Sequence, residues 1–378
     1  MVARGNTLTV HLTDSARDFP ARMSVTAFCA VPKALPMRPE VGLAPYPGSG
    51  PFYIDAYVPG RKLVLAKNRF YRGTSPRHVD QFSVSFVDSD ESALAEVEAG
   101  HADYADTGGD SSSYVPLMSK YRLNRSQLYR IGGQGVRFLV FNCAGLLFKN
   151  NPRLRQAINF AIDRPALLRE RGPGTGTPTD HYLPSSMPGF RIAAIYPLRH
   201  PDLKKARALA AGHLRSRHAV LWAQNSGPSV TQAQLVQAEP KRIGLTVTVK
   251  LFPGPKLFQL LFRPRGAPYD MTLVGYGPDY LDPAAMLNVL LDGRQIGKPT
   301  SYDVARFNSA AFNAALARAD RLTGAARFRA YGRLDVEIAR TEAPLAAYSN
   351  DAVFNFVSER VGCLRFAPYL DLAAVCLK

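Results

Sequence analysis

The residues best placed to do chemistry are two carboxylates in the segment Gly275-Tyr-Gly-Pro-Asp-Tyr-Leu-Asp-Pro283. Asp279 and Asp282 have the types needed for a general acid and base, but no nucleophile or metal-binding cluster accompanies them in sequence. Asp282, directly ahead of Pro283, reads as a helix cap. From its neighbours alone, Asp279 reads as a capping or turn carboxylate ahead of the Pro283 helix. His213 and His218 are five apart, on different faces of any helix, and make a poor zinc pair. Gly172-Pro-Gly174-Thr-Gly176 superficially looks like a phosphate loop, yet it follows a helical pattern and opens no helix. Gly297-Lys298 runs into Pro299 and lacks the upstream glycine of a nucleotide-binding loop. Gly48-Ser49-Gly50 precedes Pro51, which cannot begin the strained turn that exposes a hydrolase serine. These motifs predict a protein that is not an enzyme and needs neither cofactor nor metal.

Charge points elsewhere than catalysis. Lys and Arg total 47 against 30 Asp and Glu, a net charge of +17 at pH 7. A field of that size favours nucleic acid or an anionic surface. The basic residues are scattered, however, with neither a like-charge block nor basic-aromatic interleaving, so no nucleic-acid partner is expected. The chain is 46% hydrophobic and 20% charged, ordinary for a soluble fold. Its longest apolar runs, Phe138 to Phe141 and Ala343 to Tyr348, have strand length and fall far short of the ~18 residues that span a bilayer. Met1 to Thr13 contains no apolar core of a signal peptide, so none is expected in this chain, which opens as if cut from something longer. Among the cysteines, 29, 143, 363 and 376, no C-x-x-C pair occurs; Cys363 and Cys376 either close a loop between two strands or stand as buried free thiols.

The elements that must position these residues follow from periodicity and punctuation. Thr7 to Thr13 alternates as a strand, and the proline-rich stretch from Pro32 to Pro51 reads as a crossing between lobes. Phe52–Tyr57 and Lys62–Lys67 predict a hairpin about Pro59-Gly60; Gln81–Val87 predicts a strand and Asp90–Ala99 a helix stopped by Gly100. Asn151 caps a helix that begins at Pro152, and Asp163 starts another that ends at Gly172, followed by a loop to Thr179. Strands are expected at Ala219–Gln224, Gly244–Phe252 and Tyr269–Tyr276, with a helix from Ser229 to Ile243 that Pro240 kinks or ends. Helices at Ala284–Leu291, Ser309–Leu322 and Ala325–Arg340 precede strands at Val353–Val357 and Leu372–Leu377. The alternation predicts an α/β fold with a mostly parallel sheet. The lone Trp222 is expected in the core, and Arg153, Arg155 and Arg164 are expected to be solvated or structural.

Four landmarks in order give the chain a family resemblance. Gly48-Ser-Gly-Pro-Phe-Tyr53, with the hairpin ending Asn68-Arg-Phe-Tyr-Arg-Gly73, is similar to a G-[TS]-G-P-Y segment followed by N-P-x-Y-x-G. Glu96-Val-Glu-Ala-Gly-His-Ala-Asp-Tyr104 is similar to an L-x-x-G-x-x-D turn, and Arg153-Leu-Arg-Gln-Ala-Ile-Asn-Phe-Ala-Ile-Asp-Arg164 to V-R-Q-A-I-x-Y-A-I-D-R. Gly275 to Pro283 resembles W-x-x-D-x-x-D-P. Together these resemble the family 5 extracellular solute-binding proteins, which include the dipeptide- and oligopeptide-binding components of ABC importers. Here Tyr276 replaces the tryptophan, Arg69 replaces a proline, and Pro240 interrupts a helix that the family keeps continuous.

The resemblance implies a periplasmic-binding-protein-like, two-lobed Venus flytrap fold of type II (cluster C) lacking its N-terminal segment. The implied division is 1–45 as a remnant of the small additional domain and crossing segment, 46–145 as lobe I, 146–349 as lobe II and 350–378 as the return to lobe I. It also implies a peptide or peptide-like solute in the inter-lobe cleft, an ABC permease as partner, a monomer, and an extracytoplasmic, membrane-tethered parent. Asp279 would anchor the peptide α-ammonium, Tyr276 would supply an apolar wall and Gly277 close backbone approach. The alternatives are a cytoplasmic regulator reusing the fold and a truncated, non-functional paralogue; a hydrolase has almost no motif support.

Overall fold

A computed structural model describes residues 1–13, 15–31, 48–107, 112–225, 227–263, 266, 268–298, 301–367 and 369–378. The proline-rich stretch expected as a crossing lies outside these residues from 32 to 47. In chain order the elements are β1 (Val2–Arg4), β2 (Thr7–Thr9), α1 (Phe19–Arg22), β3 (Phe52–Val58), β4 (Lys62–Lys67), β5 (Gln81–Ser85), α2 (Asp90–Glu98), β6 (Tyr104–Ala105), α3 (Val115–Lys120) and β7 (Leu128–Phe141). There follow α4 (Pro152–Ala161), α5 (Arg164–Arg169), β8 (Gly176–Thr177), α6 (Leu203–Ala210), β9 (His218–Gln224), α7 (Pro228–Ala238), β10 (Thr246–Phe252), α8 (Gly254–Leu261), β11 (Met271–Tyr276) and α9 (Ala284–Leu291). The chain closes with α10 (Ala310–Asp320), α11 (Gly324–Thr341), β12 (Leu345–Val357), β13 (Val361–Gly362) and β14 (Cys376–Leu377). Two compact units result. Unit 1 is Met1–Val25, Gln134–Glu170 and Gly176–Asp351; unit 2 is Thr26–Gly133, Arg171–Thr175 and Ala352–Lys378.

Unit 1 is built on the strand order β10-β9-β11-β7-β12, with β8 paired to β12. β10 and β11 run parallel to β9, but β11 pairs antiparallel with β7, from Met271 opposite Phe141 to Tyr276 opposite Val136. The sheet is therefore mixed, which corrects the mostly parallel expectation. Helices α7 and α8 return the chain between β9, β10 and β11 and so make them parallel, whereas nothing local dictates how β7 meets β11. Both faces of the sheet are covered. Val136, Phe138 and Val140 pack on one side with α9, α10 and α11; Leu139 and Phe141 pack on the other with α4 and α7. A doubly covered sheet explains why its strands read as continuous apolar runs. Trp222 lies in the first of these cores, as expected.

Local signals set the ends of the helices. The Asn151 side chain caps α4 by accepting the Leu154 N–H, and Asp163 caps α5 through the Ala166 N–H at 2.8 Å. Pro240 ends α7, and the chain continues as a tighter turn over Glu239–Ile243. Glu239 is buried in that turn: one oxygen accepts the Asp163 N–H at 3.0 Å and the other has no partner among the described residues. Burial raises its carboxyl from 4.5 to about 7. The fold thus favours the protonated acid, and the stability linked to it is full below pH 4.5 and lost as pH rises through 7. Glu239→Gln should add on the order of 3 kcal/mol at pH 8 and almost nothing at pH 4. Urea midpoints at the two pH values measure this; equal shifts at both would contradict it.

Unit 2 carries the antiparallel sheet β3-β4-β5, with the hairpin at Pro59-Gly60 as read from sequence. Its core joins Leu94, Val97, Tyr114 and Leu117 to Phe354 and Phe356. Gly100 stops α2 at φ +77°, a conformation costly for any residue with a Cβ. Cys363 and Cys376 form a disulfide that ties β13 to β14, which decides between the two states the sequence left open. The segment expected as a plain loop after Gly172 contains the two-residue strand β8. β12 begins at Leu345, well before the expected Val353, because the apolar run around Ala346 already belongs to it.

Candidate functional site

Most of the motif residues are consumed in holding the protein together. Asn68 is buried and donates to the carbonyls of Gly48 and Gly50 at 2.9 and 2.8 Å, while its own Oδ1 accepts the Phe70 N–H. The two halves of the first motif are thus stitched to each other. In the second motif, Asp103 accepts the Ser358 hydroxyl at 2.8 Å and the Arg360 Nε at 3.1 Å. In the third, Arg153 is exposed, whereas Arg155 and Arg164 are almost wholly buried and spend their donors on protein oxygens. Both buried arginines are structural, one of the two roles expected of them.

The fourth motif differs. β7 runs against both neighbours, with Phe141 meeting Pro344 at one end and Gly135 meeting Asn350 at the other. The carboxyl ends of β9, β10, β11 and β12 therefore lie on one edge of unit 1, where open α/β sheets bind ligands. The loop after β11 is pinned at alternate residues. Tyr280 donates its hydroxyl to Asp18 at 2.7 Å, and Asp18 in turn holds Arg22 of α1 at 2.9 Å. Asp282 is buried, accepts the Ala284 N–H at 2.9 Å as the expected cap, and receives Arg327 of α11 through both oxygens. Between and beside these pins, Asp279 and Leu281 turn outward.

Asp279 is exposed and makes no hydrogen bond or ion pair among the described residues. It caps nothing; Asp282 does. The Tyr276 phenol is half-buried, and burial followed by the nearby Asp279 carboxylate raises its pKa, so it remains a neutral donor with an apolar ring. That ring begins an aromatic row: Tyr276 to Tyr302 at 6.0 Å between centroids, Tyr302 to Phe262 at 5.1 Å, and Phe262 stacked on Phe258 at 6.0 Å. The last three rings are exposed. Periodicity did not mark Tyr302 or Phe262, because the row is assembled from separate loop and helix segments.

The two glycines that flank Tyr276 have different surroundings. A Cβ on Gly277 would meet only ordinary contacts, 3.7 Å from Gly135 Cα, so the protein itself leaves that space open. A Cβ on Gly275 would fall 2.6 Å from Arg137 Cδ and Nη1. The sequence reading named Gly277 and missed both Gly275 and Arg137, which face each other across the β11–β7 pairing. Among the described residues no cluster of His, Cys, Asp and Glu could hold a metal ion, and no helix is long and apolar enough to cross a membrane.

Residues 2–298 match the bacterial extracellular solute-binding proteins, family 5 (middle). Heme-binding protein A of Haemophilus influenzae is 26% identical over 342 residues, covering 87% of this chain and 58% of that protein. The probable D,D-dipeptide-binding periplasmic protein DdpA of Escherichia coli is 24% identical over 255 residues, covering 67% of this chain and 47% of that protein. The chain thus spans about half the length of the curated relatives it matches. Among solved structures, the clavulanic acid biosynthesis oligopeptide binding protein 2 superposes with a TM-score of 0.84 at 23% identity, covering 97% of this chain and 69% of that one. The fold is the periplasmic-binding-protein fold that the motifs implied.

Proposed function

Because the chain belongs to the bacterial extracellular solute-binding proteins of family 5, we propose that it binds a short peptide or peptide-like solute and presents it to the permease of an ABC importer. Asp279 takes the ligand's α-ammonium. A single observation carries this: in a chain whose motif carboxylates Asp103, Asp163 and Asp282 all have protein partners, Asp279 alone among these four is exposed and, among the described residues, unpaired, at the carboxyl edge of the sheet's parallel strands. Pins at Tyr280 and Asp282 fix its position in advance, which lowers the ordering cost of binding. Tyr276 lines the site with its ring and keeps its proton. Binding needs no bond to break, and the site supplies no nucleophile.

The relatives support the ligand class, since one is named for D,D-dipeptides and one for oligopeptides. The Cys363–Cys376 disulfide supports an extracytoplasmic location over a cytoplasmic regulator, because such bonds persist in oxidising compartments. A second reading, a flat aromatic ligand such as the heme named for the Haemophilus protein, is favoured by the exposed row Tyr302, Phe262 and Phe258.

Calorimetric titration with di- and tripeptides, their N-acetyl forms and hemin separates the two. A charge-assisted hydrogen bond contributes about 1.5–3 kcal/mol, so Asp279→Asn should weaken peptide binding about 10- to 100-fold. N-acetyl peptides should bind wild type and variant equally poorly. Unchanged peptide affinity in Asp279→Asn would refute the anchor, and hemin binding without peptide binding would select the second reading.

A further inference from the structure

The fold gathers cations that the sequence scatters. From Leu203 to Lys250 the chain holds eight Lys and Arg but one acid, Glu239, which is buried. Asp202, just ahead, is spent capping α6 through the Lys205 N–H at 2.9 Å. Five of these bases gather with Lys149 at the edge of unit 1 where β9 and β10 begin and β7 ends, opposite the edge that carries Asp279. Arg207 Nε donates to the Arg242 carbonyl at 3.0 Å and so joins α6 to the turn that bears Lys241 and Arg242. The Arg217 carbonyl accepts the Thr246 N–H at 2.8 Å where the two strands start. Arg215 crosses to the segment after β7, donating to the carbonyls of Leu146 and Asn150, both at 3.3 Å, and to that of Lys149. One continuous edge results.

All six cations are exposed, and none has a carboxylate partner among the described residues. Nearby acids are committed elsewhere: Glu342 to Arg155 at 3.1 Å and Asp270 to the Val220 N–H at 2.8 Å. Leu146, on the same edge, is 78% exposed, and Arg215 holds its backbone. We propose that this edge rests on an anionic phospholipid surface, with the six cations against the headgroups and Leu146 in the interface. A bilayer offers negative headgroups and hydrocarbon within one plane, which suits both the charges and the leucine. A nucleic acid would satisfy the charges alone. Each Lys or Arg close to an anionic leaflet strengthens binding about five-fold, so a single base does little and six on one edge compound. Because the solute site occupies the opposite edge, a docked chain keeps Asp279 away from the lipid and open to solute. The inference is independent of which solute binds there.

The test sediments the full chain with vesicles of phosphatidylcholine, with and without phosphatidylglycerol. Wild type should bind only the vesicles that contain phosphatidylglycerol and should release them in high salt. Lys149, Arg217 and Lys241 make no side-chain hydrogen bond among the described residues, so Lys149→Gln, Arg217→Gln and Lys241→Gln remove charge without removing support. Together they should weaken binding about 100-fold. Arg318→Gln, Arg329→Gln and Arg333→Gln remove the same charge from α10 and α11, which cover the other face of the sheet, and should weaken it less than about five-fold. Leu146→Trp adds a reporter, since Trp222 is buried, and its emission should shift to the blue on the anionic vesicles. Equal losses in the two triple variants would reduce the effect to net charge and overturn the proposal. So would unshifted emission from vesicle-bound Leu146→Trp, equal binding to phosphatidylcholine alone, or tighter binding to a single-stranded RNA oligonucleotide than to the vesicles.

Discussion

Replacing Arg164 with methionine should destabilise the protein by about 4 kcal/mol, the size expected when a buried charge-bearing network loses its donor. Arg164 is 1% exposed. Its Nε donates to the carbonyls of Ala347 at 2.8 Å and Thr179 at 3.2 Å; Nη1 reaches those of Asn159 at 2.9 Å and Pro197 at 3.2 Å; Nη2 reaches Asn159 Oδ1 at 2.9 Å. One side chain thereby joins α4, the segment after β8, the chain before α6 and β12. Burial lowers its pKa only to about 10, so it remains charged at neutral pH. Methionine fills part of the volume but leaves several buried acceptors bare, each costing about 1–3 kcal/mol before relaxation. Lysine should not rescue the loss, since a point charge with three donors cannot reproduce a planar fork. Urea unfolding measures the effect as a lower midpoint at unchanged slope. A loss under about 1 kcal/mol would show that water replaces the guanidinium.

The second large effect falls on the site itself. Arg327 is buried and holds Asp282 through Nε and Nη2, at 3.0 Å in each of the shortest contacts, while Nη1 reaches Asp320 at 3.0 Å. Arg327→Met strands the Asp282 carboxylate, a change worth about 3–5 kcal/mol. Asp282 also caps α9, so the loop carrying Asp279 loses the pin on its carboxyl-terminal side. Peptide affinity should fall along with stability, although Arg327 is not expected to touch ligand. The double variant Arg327→Met, Asp282→Asn should recover part of the stability, because no buried charge is then unpaired. A double variant as unstable as the sum of the two singles would contradict the pairing.

Much of the local structure was legible before any contact was known. Asn151, Pro152 and Asp163 announced their helix starts because a cap bonds an N–H three residues on. Pro240 announced the end of α7 because its ring excludes the helical hydrogen bond. The amino-terminal half of β7 was hidden, since Gly132, Gly133 and Gly135 interrupt any alternation that would reveal a strand. Helices α6 and α8 also escaped the reading, the first mainly alanine and basic residues and the second opening on Gly254 and Pro255. Four motifs in order led to the family and to the segment that holds the candidate site, and the match over residues 2–298 agrees.

The sequence by itself determined most of the longer helices, most strands, the family and the stretch from Gly275 to Pro283, because those signals arise between residues a few positions apart. Only the tertiary structure decided which of the two neighbouring carboxylates is spent, for Asp282 meets Arg327 from a helix 45 residues on and Asp279 has no partner among the described residues. It also decided that the sheet is mixed, that Cys363 bonds Cys376, and that Arg137 stands over Gly275. Each of these depends on which segments the packed cores bring side by side, and no residue carries in its own neighbourhood the identity of a partner across a sheet.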